Sequence, residues 1–175
     1  MKAYVTNADS VLGASLTGAL RWEGHLLAAS TAEADVVFDT VHGVVYRQDR
    51  ALARFHFGEI LGPGDVEGTV LGDWLMRYAD SGRLPYSVGG ACVTDARDVA
   101  LAMITAAERG VSGEFEVIGP FVTFEEVIDM LAGSAQAKTS VALPELGLTF
   151  RPLEETILDV LAWQRSTDHR VGRTA

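Results

Sequence analysis

Four groups able to move protons, Asp39, His42, Tyr46 and Glu59, fall in one part of the chain, with Arg50 among them. Burial beside apolar neighbours moves carboxylate and imidazole pKa values towards neutrality, where general acid–base catalysis operates. His42 is the foremost candidate, because the ordinary titration range of imidazole already suits proton transfer. Arg50 follows Tyr46 by four residues, and its charge would depress a phenol pKa. A guanidinium stays protonated, however, and relays no proton itself. Each residue also has a plainer reading. His42 is then a loop histidine bonded to backbone, Asp39 a cap for the next segment, Tyr46 a strand end, and Arg47 to Arg54 a solvated helix face.

A second constellation lies at the start. Residues 5–16, VTNADSVLGASL, read as a strand end, a polar turn and the first turns of a helix. Turns of this kind cradle a dinucleotide pyrophosphate when three glycines permit the tight bend, the backbone approach and the helix packing. Asn7 stands at the first position and tolerates left-handed geometry. Ser10 stands at the second and would set a side chain where phosphate meets backbone. Gly13 keeps the third. Thr6 precedes them at the strand end, and Asp9 adds a negative charge that repels phosphate. The chain's lysines are Lys2 and Lys138, far from the turn in sequence. Glu33 is the candidate acid for a ribose, but it falls in a short connection. These features predict a degenerate site with no cofactor, NAD(P) being the alternative. The single cysteine, Cys92, and four scattered histidines offer no metal-ligand spacing, so no metal is expected.

The elements that would hold these residues alternate. Ala3 to Thr6, His25 to Ala29 and Asp35 to Val41 read as strands, with a helix over Ser10 to Trp22 between the first two. Val44 to Tyr46 begins another strand, Gln48 to Arg54 a polar helical piece, and Phe55 to Leu61 a strand ending at the turn Gly62-Pro63-Gly64. Helices follow over Gly68 to Tyr78, Val99 to Glu108, Thr123 to Leu131 (opened by a capping box) and Pro152 to Trp163. Gly82 to Pro85 reads as a loop, Glu114 to Ile118 as a strand and Gly133 to Ser140 as a polar connection. Trp74, Tyr78 and Tyr86 are either pocket walls or core. This alternation implies α/β layers around a parallel sheet.

The chain has 175 residues, enough for one core, with a net charge of −10. The acidic balance argues against nucleic acid and anionic membrane as partners. No signal-like leader or long apolar run is present, which reads as a soluble cytoplasmic protein. Residues 1–165 form one expected domain, its nucleotide half at 1–64 and its substrate half at 65–165, followed by a tail at 166–175.

Several motifs, in order, resemble the extended short-chain dehydrogenase/reductases of the NAD-dependent epimerase/dehydratase type, especially their dihydroflavonol-reductase-like branch. Thr6 to Gly13 takes the place of TGxxGxxG, DVVFD at 35–39 that of the central strand, and GEILGPG at 58–64 that of RPGNVYGPG. VTDARDVA at 93–100 is similar to VDVRDVA, and VTFEEV at 122–127 and LTFRPLEE at 148–155 to the late helices. Tyr46 to Arg54 is similar to YxxSKxLAE, with Arg50 replacing the lysine that holds the cofactor ribose. The resemblance implies an abridged Rossmann-like fold with a small C-terminal substrate-side region. A long helix is missing between Val41 and Tyr46, so the family's usual dimer is not expected and any homo-oligomer would use another interface. Three functions follow. The first is a small-molecule-binding protein acting without cofactor as an isomerase, lyase or cyclase. The second is an atypical NAD(P)-dependent reductase or epimerase, and the third a non-catalytic interaction subunit.

Overall fold

The computed structural model describes residues 1–65, 69–82, 89–133 and 142–166. The expected loop at 83–85, Tyr86, most of the polar connection, Lys138 and most of the tail lie outside the described residues. The chain begins with β1 (Lys2–Val5), α1 (Val11–Trp22), β2 (Leu26–Leu27), β3 (Val36–Asp39), β4 (Val44–Arg47) and β5 (Arg50–Phe57). It continues through β6 (Glu59–Leu61), α2 (Val70–Ser81), β7 (Gly90–Asp95), α3 (Ala96–Arg109) and β8 (Gly113–Val117). The last elements are β9 (Phe121–Thr123), α4 (Phe124–Leu131), β10 (Ala142–Leu143), β11 (Leu148–Thr149) and α5 (Leu153–Arg165).

Six strands form the main sheet in the order β2-β1-β3-β4-β5-β8. β1 runs parallel to β2 and β3, and β5 parallel to β8, while β4 is antiparallel to both its neighbours. The expected abridged Rossmann-like α/β fold is therefore present, with a parallel-rich sheet. The helical piece expected over Gln48 to Arg54 is a β-hairpin instead. Gln48 and Asp49 have φ of +50° and +60°, the geometry of a two-residue hairpin turn. The strand that follows alternates, burying Ala53 and Phe55 and exposing Arg54 and His56. The turn lacks the Asn-Gly signature that would have revealed it, and a polar stretch rich in arginine and alanine suits a helix equally well.

One face of the sheet carries the core. Leu12, Leu16 and Leu20 of α1, at helical spacing, meet Val99, Met103 and Ala107 of α3 over Val36, Phe38, Phe55 and Phe115. The rings of Phe55 and Phe115 stack 5.1 Å apart. Phe38 is fully buried, and its truncation to alanine should cost about 3–5 kcal/mol. Side chains of the opposite parity are less covered: Tyr4, Val37 and Tyr46 are half-buried, and Arg54, His56, Glu114 and Glu116 are exposed. The short link between β2 and β3 holds only a 3-10 turn at Thr31–Glu33.

A second core joins β6, β7 and β9 to α2, α4 and α5 through Leu61, Trp74, Val122, Phe124 and Ile157. Trp74 is thus core, its ring 5.4 Å from that of Phe124. Tyr78 packs against the same core and lies beneath the Arg165 guanidinium, 5.8 Å away. The capping box read at Thr123 and Glu126 is formed in full and opens α4.

Candidate functional site

The turn after β1 joins the strand to α1 with Asn7 and Ser10 in place of the first two glycines. Asn7 has a φ of +43°, the left-handed conformation that glycine would supply most cheaply. Ser10 caps α1: its hydroxyl donates to the Asn7 carbonyl at 2.8 Å and accepts from the Gly13 N–H at 3.1 Å. Both bonds fold the Ser10 side chain into the turn, so it does not project over the backbone as the sequence suggested. Gly13 is required by packing, since a Cβ there would lie 2.0 Å from the Asn7 carbonyl oxygen. Thr6 ties β1 to the end of β3: its hydroxyl accepts from the Thr40 N–H at 3.0 Å, and the Thr40 hydroxyl donates to its carbonyl at 2.9 Å. Asp9 is exposed, where water screens its charge. Peptide dipoles at the start of α1 favour an anion there, while the Ser10 and Gly13 N–H groups are already bonded to the Asn7 carbonyl and the Ser10 hydroxyl.

The ribose side is different. Lys2 Nζ holds Glu33 at 2.9 Å, and Lys2 opens β1, at the end of the sheet away from the turn. Glu33 is therefore not the ribose acid.

At the carboxyl end of β3, beside Thr40, the chain turns through Asp39 and His42. Asp39 Oδ1 accepts from the backbone N–H groups of Val41 and His42 at 3.0 and 3.1 Å, and Oδ2 lies 2.8 Å from His42 Nδ1. Burial pushes the Asp39 carboxyl up, but the His42 ring and the two N–H donors outweigh it and hold the group below the usual range. An ionised carboxylate thus orients the imidazole. The His42 side chain is 69 % exposed, which leaves Nε2 as the nitrogen able to exchange protons.

The structure does not bring Tyr46 and Arg50 to this place. β4 runs from Val44, opposite Asp39, to Arg47, opposite Val36. Tyr46 thus lies towards the amino ends of the parallel strands, and Arg50 pairs with Arg47 across the hairpin turn. A Tyr-x-x-x-Arg pair on one helix face, as the family motif needs, is absent. Glu59 is engaged elsewhere, accepting from the Leu71 N–H at 2.7 Å at the start of α2. It lines a cavity of about 280 Å³ with Leu71, Gly90, Ala91, Val122 and Phe124.

Among the described residues a dense polar cluster centres on Asp95. Asp95 caps α3 by accepting from the Arg97 N–H at 2.7 Å. It also takes the Arg97 guanidinium at 2.7 and 3.0 Å, the Thr156 hydroxyl at 2.8 Å and Arg151 Nη1 at 3.2 Å. Burial pushes the Asp95 carboxyl up, yet the bonds from Arg97 and Thr156 hold it below the ordinary range. Asp98 accepts from the Arg151 N–H at 2.9 Å, and there burial prevails and raises the pKa. Arg151 stands 56 residues beyond Asp95, so no local pattern could have revealed it.

A strand-to-helix turn on a parallel-rich sheet, with a smaller unit of strands and helices after it, gives the short-chain-dehydrogenase-like fold. Solved structures share it over nearly their whole length. WbmF of Bordetella bronchiseptica in complex with NADH superposes with a TM-score of 0.70 at 11 % identity, covering 98 % of this chain and 94 % of its own. UDP-N-acetylglucosamine 4-epimerase from Bacillus cereus gives 0.68 at 13 % identity, covering 95 % and 100 %. Yeast methylglyoxal/isovaleraldehyde reductase complexed with NADPH gives 0.63 at 14 % identity, covering 93 % and 98 %. No family model and no curated protein sequence matches the chain. The expectation of a fold without a cofactor is corrected here, because chains of this same fold hold NADH and NADPH. No helix among the described residues is long and apolar enough to cross a membrane.

Proposed function

We propose that the protein is an atypical nicotinamide-dinucleotide-dependent reductase or epimerase acting on a small molecule. The observation that carries this reading is the turn from β1 into α1, where Asn7 takes the left-handed conformation a glycine would supply and Gly13 keeps the packing position. Residues 6–13 would hold the pyrophosphate at the start of α1. When bound, the dinucleotide supplies or accepts hydride. The chain's own contribution is proton exchange by His42, whose Nδ1 is fixed by ionised Asp39 and whose Nε2 takes or gives the proton. Neighbours that carry NADH or NADPH support the cofactor, and the names of two of them as an epimerase and a reductase support the reaction class.

Calorimetric titration with NADH and NADPH tests this reading, with light scattering giving the size of the particle. Micromolar binding of either dinucleotide is expected, and it should be lost in Gly13→Val. Absence of binding at millimolar dinucleotide refutes it.

A further inference from the structure

We infer a divalent transition-metal site built from Glu23, His25 and Glu108, at the end of the molecule away from the dinucleotide turn. Glu23 is the residue on which α1 ends, and Glu108 stands in the last turn of α3, the helix packed against it. His25 lies just before β2, its backbone N–H donating to the Leu20 carbonyl at 2.8 Å. Its Nε2 is 3.0 Å from Glu108 Oε1 and 3.4 Å from Glu23 Oε2. The ligating atoms of the three residues all lie within 4.8 Å of one another, and they form the one such cluster among the described residues.

Three observations point to a cation. First, Nε2 is buried and makes no hydrogen bond of acceptable geometry, although two carboxylates face it. Its side chain is only 13 % exposed. Second, both carboxylates sit at helix carboxyl ends, where the peptide dipoles already favour positive charge and disfavour negative. The nearby Arg109 is turned away to the Leu146 carbonyl. Third, the two nitrogen–oxygen separations fit. Ligands at the usual ~2.0–2.1 Å from tetrahedral Zn²⁺ are about 3.3–3.4 Å apart, and Nε2 is 3.4 and 3.0 Å from the two oxygens. One imidazole and two carboxylates leave a fourth position for water, and imidazole selects a transition metal over calcium or magnesium. Sequence spacing could not show this site, because Glu108 joins the other two only through the contact of α1 with α3.

Titration of ZnCl2 into the chelator-treated protein, followed by calorimetry and by melting temperature, tests the inference. One Zn²⁺ per chain with micromolar affinity and a raised Tm are expected. Loss even of an outer-sphere partner typically weakens metal binding 10–100-fold, so Glu108→Gln and His25→Gln, which each alter a direct ligand, should each weaken it by at least about tenfold. Glu108 is 46 % exposed, so its variant is expected to fold even where His25→Gln does not. Glu116→Gln, on the exposed face of the sheet, should leave the affinity unchanged. No binding at millimolar Zn²⁺, or binding unaltered by Glu108→Gln, overturns the site and leaves His25 as the only cation between the two carboxylates. Neither result bears on dinucleotide binding, which is read separately at the other end of the sheet.

Discussion

Helix α1 contains two glycines whose replacement by alanine should have opposite effects. Around Gly18 there is nothing within 4 Å of an added Cβ, so Gly18→Ala gains only the helix preference of alanine, about 0.5–1 kcal/mol. At Gly13 the same methyl would stand 2.0 Å from the Asn7 carbonyl oxygen and 2.8 Å from Ala8 Cα, where real Cβ atoms essentially never approach within 3.0 Å. Relief requires the helix to withdraw from the turn by about 1 Å. The Asn7 oxygen also accepts from the Ser10 N–H at 2.9 Å and the Ser10 hydroxyl at 2.8 Å, so withdrawal strains both bonds. Overpacking costs ~1–3 kcal/mol and each weakened hydrogen bond about 1. Set against the alanine preference, the net loss is roughly 2–4.5 kcal/mol. For a chain of this size that lowers Tm by about 4–18 °C, whereas Gly18→Ala raises it by a few degrees. Urea titration at constant m-value separates the two variants by midpoint. Dinucleotide affinity should be lost in the first and kept in the second. A Gly13→Ala protein as stable as Gly18→Ala would show that the turn and helix are not in close contact, and the pyrophosphate cradle would fall with that.

Asp95→Asn should destabilise by about 3 kcal/mol, the lower end for breaking a buried pair, because Arg97 and Arg151 are 32 % and 26 % exposed and can turn to water. The pH dependence follows from the directions of the shifts. Asp95, held low, contributes stability that is complete above its unfolded pKa of about 3.9 and is lost as pH falls through its folded value. Asp98, raised by burial, acts in the opposite sense, its contribution complete below the unfolded pKa and lost as pH rises through the folded one. The wild-type urea midpoint should therefore drop more steeply below about pH 4 than that of Asp95→Asn; parallel curves would deny Asp95 its paired carboxylate. His42→Ala should abolish turnover while changing stability by less than ~0.5 kcal/mol, as for an exposed side chain. Tyr46→Phe and Arg50→Ala should leave kcat intact, and a large loss in either would return the proton-transfer role to the hairpin.

Local rules made much of this molecule legible. Apolar spacing marked α1 and α3, the capping box marked the start of α4, and the run of apolar residues at 35–41 marked the central strand, because these depend on neighbours three or four residues away at most. The polar turn at Asn7 was legible as a dinucleotide-type turn. The inward bend of Ser10 that caps the helix was not legible. Asp39 and His42 were legible as a pair by type, and the turn between β3 and β4 put them in contact. The hairpin at Gln48 was misread, since alternation in a short strand of arginines and alanines competes with helix preference and only pairing with β4 and β8 decides between them. Tyr46 and Arg50 went to the wrong end of the sheet for the same reason: reversing one strand reverses which end its residues occupy. The Asp95–Arg151 cluster and the Glu23–His25–Glu108 cluster join residues far apart in the chain. The sequence by itself determined which side chains were available and which short segments were helices or turns. Tertiary packing alone decided which distant charges share one desolvated place, because that depends on how helices and strands settle against a common core.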